Sequence, residues 1–252
     1  MGAILTAARR GATALLDAFF PRRCVYCGAA NNSGKYDFVC EGCERDIYII
    51  KGGRCLRCSE IIGANDSPNS AFCPKCAKDP PSFNWSMTCC VFSGPARELA
   101  LGLKYRSSPH LASDMAKIMK ETPKLGEFLK DSVLIPVPLH FARKMKRGYN
   151  QSEIIANAAI RAFPNSGITI SNALRRTKRT DTQTHLTKEE RLENIKGAFK
   201  ANNRKVSKIP KGAHIVIVDD VMTSGATMSE CARVIKKLGF KNIDAFAFAR
   251  KM

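Results

Sequence analysis

No run of 18 apolar residues occurs anywhere in this 252-residue chain, so no membrane span is expected. The pattern G-x-x-x-x-G-K-[ST] is missing too, which excludes a Walker-type nucleotide loop. Acidic side chains are scarce: 22 Asp and Glu stand against 41 Lys and Arg, for a net charge of +19. The opening stretch MGAILTAARRGATALLDAFFP has arginines inside it and an Asp before any plausible cleavage point, unlike a secretory signal. Its M-G-x-x-x-T start fits the short myristoylation pattern. Ile4, Leu5, Ala8, Ala12, Leu15, Leu16 and Phe19 suit one face of a helix, and residues 1–20 are expected to dock on the rest of the protein. Without an export signal the expected location is cytoplasmic, where structural disulfides are rare.

Cysteine is plentiful. Eight of the eleven fall in four C-x-x-C pairs, Cys24/Cys27, Cys40/Cys43, Cys55/Cys58 and Cys73/Cys76, separated by 12, 11 and 14 residues. Each short turn aims two sulfurs inward, so two knuckles can place four thiolates tetrahedrally around zinc. A thioredoxin-type redox pair would come once, beside a βαβ unit. About two structural zinc ions are therefore expected. Sequential pairing gives two tandem ribbons, and a cross-braced pairing fits the same spacing. The segments between knuckles are polar and poor in apolar residues, so metal ligation must supply the folding free energy of residues 21–80. Cys89, Cys90 and Cys231 stand outside the spacing and read as buried structural thiols.

The prolines of KDPPSF, residues 78–83, mark a boundary, and from residue 84 the pattern alternates. WSMTCCVF reads as a strand, and PARELALGLKY and LASDMAKIMK as helices. VLIPVP reads as a buried strand, LHFARKMKRGYNQ as a basic loop, and a helix starts at Ser152. ITISNALRRTK reads as one strand, Thr187 and Glu190 as a capping box, and IDAFAFAR as the last strand. Strands alternating with helices predict an α/β fold with a mainly parallel sheet and flanking helices over 84–252.

HIVIVDDVMTSGAT carries the chemistry. Ile215 to Val218 read as a fully buried strand, with Asp219 and Asp220 at its carboxyl end, where open α/β sheets bind ligands. A small, hydroxyl-rich loop follows at a helix start, where backbone N–H groups and the helix dipole favour an anion. The adjacent acids would repel that anion, so they must serve sugar hydroxyls or magnesium beside it. The stretch asks for a phosphorylated sugar.

This segment resembles the PRPP-binding signature of type I phosphoribosyltransferases. The resemblance implies that Asp219 and Asp220 hold ribose, and that Met222, Thr223, Ser224, Gly225, Ala226 and Thr227 cradle the 5′-phosphate. Over nearly the whole chain the blocks LGLKY, IPVPLHFARKMKRGYNQ, LRRTKRTDTQTHLTKEERLENIKGAF and IVIVDDVMTSGAT, after a double zinc ribbon, resemble the ComF family. Such proteins take part in DNA uptake during bacterial transformation. The implied fold is a type I phosphoribosyltransferase-like domain preceded by a small double zinc-ribbon domain. Pro138, Leu139, His140, Arg143 and Arg147 then fall on the pyrophosphate side, with Gly148 allowing a tight turn. Residues 175–186 fall where that fold has its active-site lid, with Gln183 and Arg191 as lid or hinge candidates. His185 and His214 read as structural.

Charge placement adds a second partner. Between His140 and Lys211 there are 17 Lys/Arg against five Asp/Glu, more than one small ligand needs. That excess suggests a polyanion, nucleic acid first, with Lys144, Lys146, Arg175, Arg176, Lys178 and Arg179 as contacts. Two readings follow. One is a DNA-uptake factor that binds PRPP with magnesium and single-stranded DNA, alongside DNA-uptake proteins. The other is an active transferase moving a phosphoribosyl group to an unknown base or amine.

Overall fold

The computed structural model describes residues 22–31, 34–62, 71–178 and 195–252. The expected helix over 1–20, the capping box, His185, Arg179, Gln183 and Arg191 lie outside them. Five strands form one parallel sheet in the order β1, β7, β6, β2, β3. Their spans are β1 Ser86–Val91, β2 Ser132–Pro136, β3 Thr169–Ile170, β6 His214–Met222 and β7 Ile243–Arg250. A separate antiparallel pair joins β4 Leu174–Arg176 to β5 Phe199–Ala201. The stretch expected as one strand is thus two short ones, in different sheets. The unpaired residues 171–173 between them carry the chain from one to the other.

The main helices are α1 Gly94–Tyr105, α2 Ala112–Glu121, α3 Leu125–Leu129, α4 Phe141–Arg147, α5 Gln151–Ala162 and α6 Ala226–Lys236. The middle of the sheet is apolar because both faces are covered. Val216 and Val218 pack with α1, α2 and α5 on one side. Ile215 and Ile217 pack with Met228, Cys231, Ala232 and Ile235 of α6 on the other. From β2 the chain crosses through α5 outward to β3, and from β6 it crosses through α6 the opposite way to β7. The strand order therefore reverses between β2 and β6. Ligand crevices of open α/β sheets form beyond the carboxyl ends at such a reversal.

Both ribbons dock on this domain. They repeat one geometry: Gly28 N–H reaches Cys24 O and Ser59 N–H reaches Cys55 O, each at 2.9 Å. Tyr36, Val39, Cys43 and Ile47 of the first join the core built by α1, α2 and α5. Its segments are too polar for a core of their own, and they share their neighbour's instead. The buried Asp114 of α2 makes the joint polar as well, accepting from the Asp37 and Phe38 N–H groups at 2.7 Å each. Asp114→Ala leaves two N–H groups without acceptors and should destabilise the protein by about 2–4 kcal/mol in denaturant unfolding. Hydrogen exchange at residues 37 and 38 should rise well beyond the global change.

Candidate functional site

The β6 strand runs four residues past the point expected from its apolar run, and this extension creates the site. Pairing with β2 stops at Pro136 and Val218, and the Val137 N–H makes one last bond to Val218 O at 2.8 Å. Pairing with β7 continues to Met222 and Arg250. Asp219 and Asp220 therefore border a gap on the β2 side while their backbone stays in the sheet. Ser152 of α5 donates to Asp219 Oδ1 at 3.0 Å. The Asp220 N–H donates to Asp219 Oδ1 at 2.9 Å and the Val221 N–H to Asp220 Oδ1 at 3.0 Å. The other Asp220 oxygen, Oδ2, is buried without a hydrogen-bond partner; Lys104 Nζ lies 3.8 Å away. Buried carboxylate oxygens are normally hydrogen-bonded, so this one stands out beside the gap.

Charge is concentrated here. Burial, and then the neighbouring Asp220 carboxylate, push Asp219 up to about 7. Lys104, at the end of α1, is raised in turn by Asp220. The β6 strand ends in a turn at Thr223–Gly225, where Gly225 adopts φ +75° and α6 begins at Ala226. Phe83 lies 3.6 Å from where a Cβ on Gly225 would stand, so a side chain there meets both strain and the ring. The turn is small, hydroxylated and placed at the amino end of an 11-residue helix, as its composition predicted.

Across the gap, the side chains of RGYNQ are tied into the surrounding framework. Arg147 donates to Gln151 Oε1 at 2.5 Å, and Gly148, at φ +82°, ends α4. The Tyr149 hydroxyl donates to Leu103 O at 2.6 Å, tying this segment to the helix that carries Lys104. Asn150 donates to Val137 O at 3.0 Å while its Oδ1 caps α5 by accepting from Ser152 N–H at 3.2 Å. The segment expected as a basic loop thus contains α4, capped by His140, whose Nδ1 accepts from Ala142 N–H at 3.4 Å. Pro138, Leu139 and His140 connect β2 to it, with Arg143 partly buried and Lys144 and Lys146 exposed. On the β4–β5 pair, Arg175 points to solvent, whereas Arg176 is partly buried over the Phe199 ring at 5.4 Å. Lys178 donates to Lys196 O at 3.2 Å. His214 is structural, bonded to Asp244 at 2.9 Å.

Lys104, Ser152 and Arg250 went unassigned in the sequence. A lone Lys in LGLKY gives no sign that its helix ends beside Asp220. Arg250 Nη1 donates to Met222 O at 2.9 Å and to Thr223 O, while Nη2 meets Glu60 of the second ribbon. One guanidinium therefore ties the zinc module to the turn that follows the acids.

The eight paired cysteines form two clusters, Cys24/Cys27/Cys40/Cys43 and Cys55/Cys58/Cys73/Cys76, with all sulfurs of each within 4.8 Å. The pairing is sequential. Cys27 and Cys40, like Cys58 and Cys73, have sulfurs 3.6 Å apart. Zn–S bonds of about 2.3 Å put tetrahedral sulfurs about 3.8 Å apart, whereas a disulfide needs about 2.05 Å. All eleven cysteines are free thiols. Burial alone would raise the Cys24 thiol, but backbone N–H groups of Cys27, Cys40 and Tyr26 bring it down to about 7. Both clusters fit structural zinc sites. No helix among the described residues is long and apolar enough to cross a membrane.

Comparison with known proteins fits this geometry. The phosphoribosyl transferase domain family matches residues 107–252, and the double zinc ribbon domain matches residues 15–77. The chain belongs to the phosphoribosyl transferase domain family. Among its relatives, Competence protein F of Haemophilus influenzae is 26% identical over 230 residues, covering 85% of this chain and 98% of that protein. DNA utilization protein YhgH of Shigella flexneri is 29% identical over 220 residues, covering 85% and 91%. Competence protein ComFC of Bacillus subtilis is 24% identical over 207 residues, covering 80% and 79%. The resemblance to ComF proteins holds on these relatives.

Elemental analysis of protein purified without chelator should find about two zinc ions per chain, and Cys40→Ser should lose one of them. The acids give a pH prediction. Folding raises Asp219 from its ordinary value to about 7, so the folded state holds a proton that the unfolded chain releases. Stability contributed by that proton is present at low pH and lost as pH rises through 7. Asp219→Asn escapes the loss. Its Tm should exceed that of the wild type at pH 8, and the gap should shrink as pH falls from 7 toward 4 in a thermal-shift series.

Proposed function

We propose that this chain binds PRPP, with magnesium, in the crevice between β2 and β6, and single-stranded DNA on the basic surface beside it, as a factor in DNA uptake. The observation that carries the first part is the Asp220 oxygen buried without a hydrogen-bond donor, next to Asp219 and just before a small turn at a helix start. A ribose hydroxyl is a donor of the kind that Asp220 oxygen lacks, and Asp219 beside it can accept from the neighbouring hydroxyl. The 5′-phosphate then falls on the backbone N–H groups of residues 223–227 and the positive end of α6. Arg143 and Arg147 lie across the gap on the side of the pyrophosphate, where planar guanidinium groups suit bidentate contacts. Lys104 supplies counter-charge to Asp220 when no ligand is bound.

Magnesium fits the donor set, since carboxylate oxygens are the hard ligands it prefers, shared with a substrate's phosphates. It would neutralise pyrophosphate charge as the C1–O bond weakens. Asp219 and Asp220 would orient the sugar for that bond to break. Transfer to a base or amine acceptor is the enzymatic form of the same site. The names of the relatives, competence and DNA utilization, support the DNA part, as does the charge excess between His140 and Lys211.

Calorimetry on the intact protein with magnesium should detect PRPP binding. Asp219→Ala with Asp220→Ala should abolish it while the thermal transition remains cooperative. Absence of any binding heat with the wild type refutes the pocket.

A further inference from the structure

The α4 helix exposes what a folded surface normally hides. Phe141 is 73% exposed and Met145 68%, both among the most exposed large apolar side chains of the described residues. No residue of α4 is buried. At a spacing of four residues the two side chains lie on one face, one turn apart. Arg143, Lys144, Lys146 and Arg147 make up the rest of the helix with Ala142, and no acid occurs between Asp131 and Glu153. Tyr105, 63% exposed, adjoins them: its ring lies 6.0 Å from the Arg147 guanidinium. An aromatic ring and a thioether have been placed among cations at the rim of the β2–β6 crevice.

We infer that the exposed face of α4 is a base-stacking platform for single-stranded nucleic acid, with Phe141 and Met145 under the bases and Lys144 and Lys146 on the phosphates. This rests on the DNA reading above and assigns it a surface. Single strands bind where stacking faces alternate with cations, because every base offers a π-face and every linkage a charge. A membrane is the rival anionic partner. Seven residues of helix span only about 10 Å, a short apolar stripe for an interfacial anchor. The charge is complementary to either partner, but two apolar side chains one turn apart, flanked by Lys144 and Lys146, match the spacing of a few stacked bases and their phosphates rather than the area of a bilayer anchor.

The test uses the full-length, zinc-loaded protein and a labelled oligothymidine of about 20 nucleotides, followed by fluorescence anisotropy across a salt series. Phe141→Ala with Met145→Ala should weaken binding at least about fivefold at every salt concentration and leave the salt slope unchanged. Lys144→Ala with Lys146→Ala should flatten the slope of log affinity against log salt by about 1.4, or 0.7 per phosphate. Phe141→Leu keeps the apolar bulk without the ring and should weaken binding, whereas Phe141→Trp should restore it and be quenched by the oligonucleotide. These positions are solvent-facing, so PRPP binding by the alanine pair should match the wild type. Wild-type DNA affinity in the alanine pair would overturn the platform while leaving DNA binding itself intact. So would Phe141→Leu binding as well as the wild type, or loss of phosphatidylserine-vesicle binding with DNA binding unaffected. A wild-type protein that binds no oligonucleotide at low salt would overturn this inference and the DNA reading together, while PRPP binding stays separately measurable.

Discussion

Two carboxylates side by side on a strand flanked by apolar neighbours set the terms for everything around them. Like charges this close disfavour joint ionisation, and burial adds to the penalty. The surrounding elements answer with a hydroxyl from α5, backbone N–H groups of β6 and the Lys104 ammonium from α1. The answer is incomplete, since one Asp220 oxygen keeps no hydrogen bond. Natural proteins retain such local cost where ligand binding relieves it. The position of the acids follows from topology: β2 turns away after Pro136 while β7 continues beside β6, and only there can carboxylates stay in the sheet and still face a gap.

The zinc modules bear on this arrangement through defined contacts. The first ribbon contributes Tyr36, Val39 and Ile47 to the main core and hangs its backbone on Asp114. The second reaches the turn after the acids through Glu60 and Arg250. Metal binding is folding free energy for modules of this size, so zinc at the second cluster would bear on the Met222 and Thr223 carbonyls through Glu60 and Arg250. A zinc ribbon is then part of the support of the crevice as well as an appendage.

What the sequence made legible was local. The strand, acids, turn and helix of β6 and α6 lie within a short continuous stretch, and each step has its own chemical signature: β-branched residues, carboxylates, hydroxyls, glycine. The knuckles were legible for the same reason, because C-x-x-C fixes sulfur geometry within a single turn. What stayed hidden depends on residues distant in the chain. Lys104, Asp114 and Arg250 look like ordinary charges until packing brings them to Asp220, to the Asp37 amide and to Glu60. The sequence of α4 reads as a loop because its basic run carries no apolar period facing a core, and the helix buries none of its residues. The strand expected over 168–178 divided because β3 extends the main sheet while β4 pairs with β5.

The central claim is that Asp219, Asp220 and the turn after them hold a ribose 5-phosphate. A crystal structure of the intact protein with PRPP and magnesium tests it most directly. The ribose 2′- and 3′-hydroxyls should lie within hydrogen-bond distance of Asp219 and Asp220, with the 5′-phosphate on the N–H groups of residues 223–227. PRPP bound elsewhere, or an empty crevice at saturating ligand with Lys104 still facing Asp220, would contradict it.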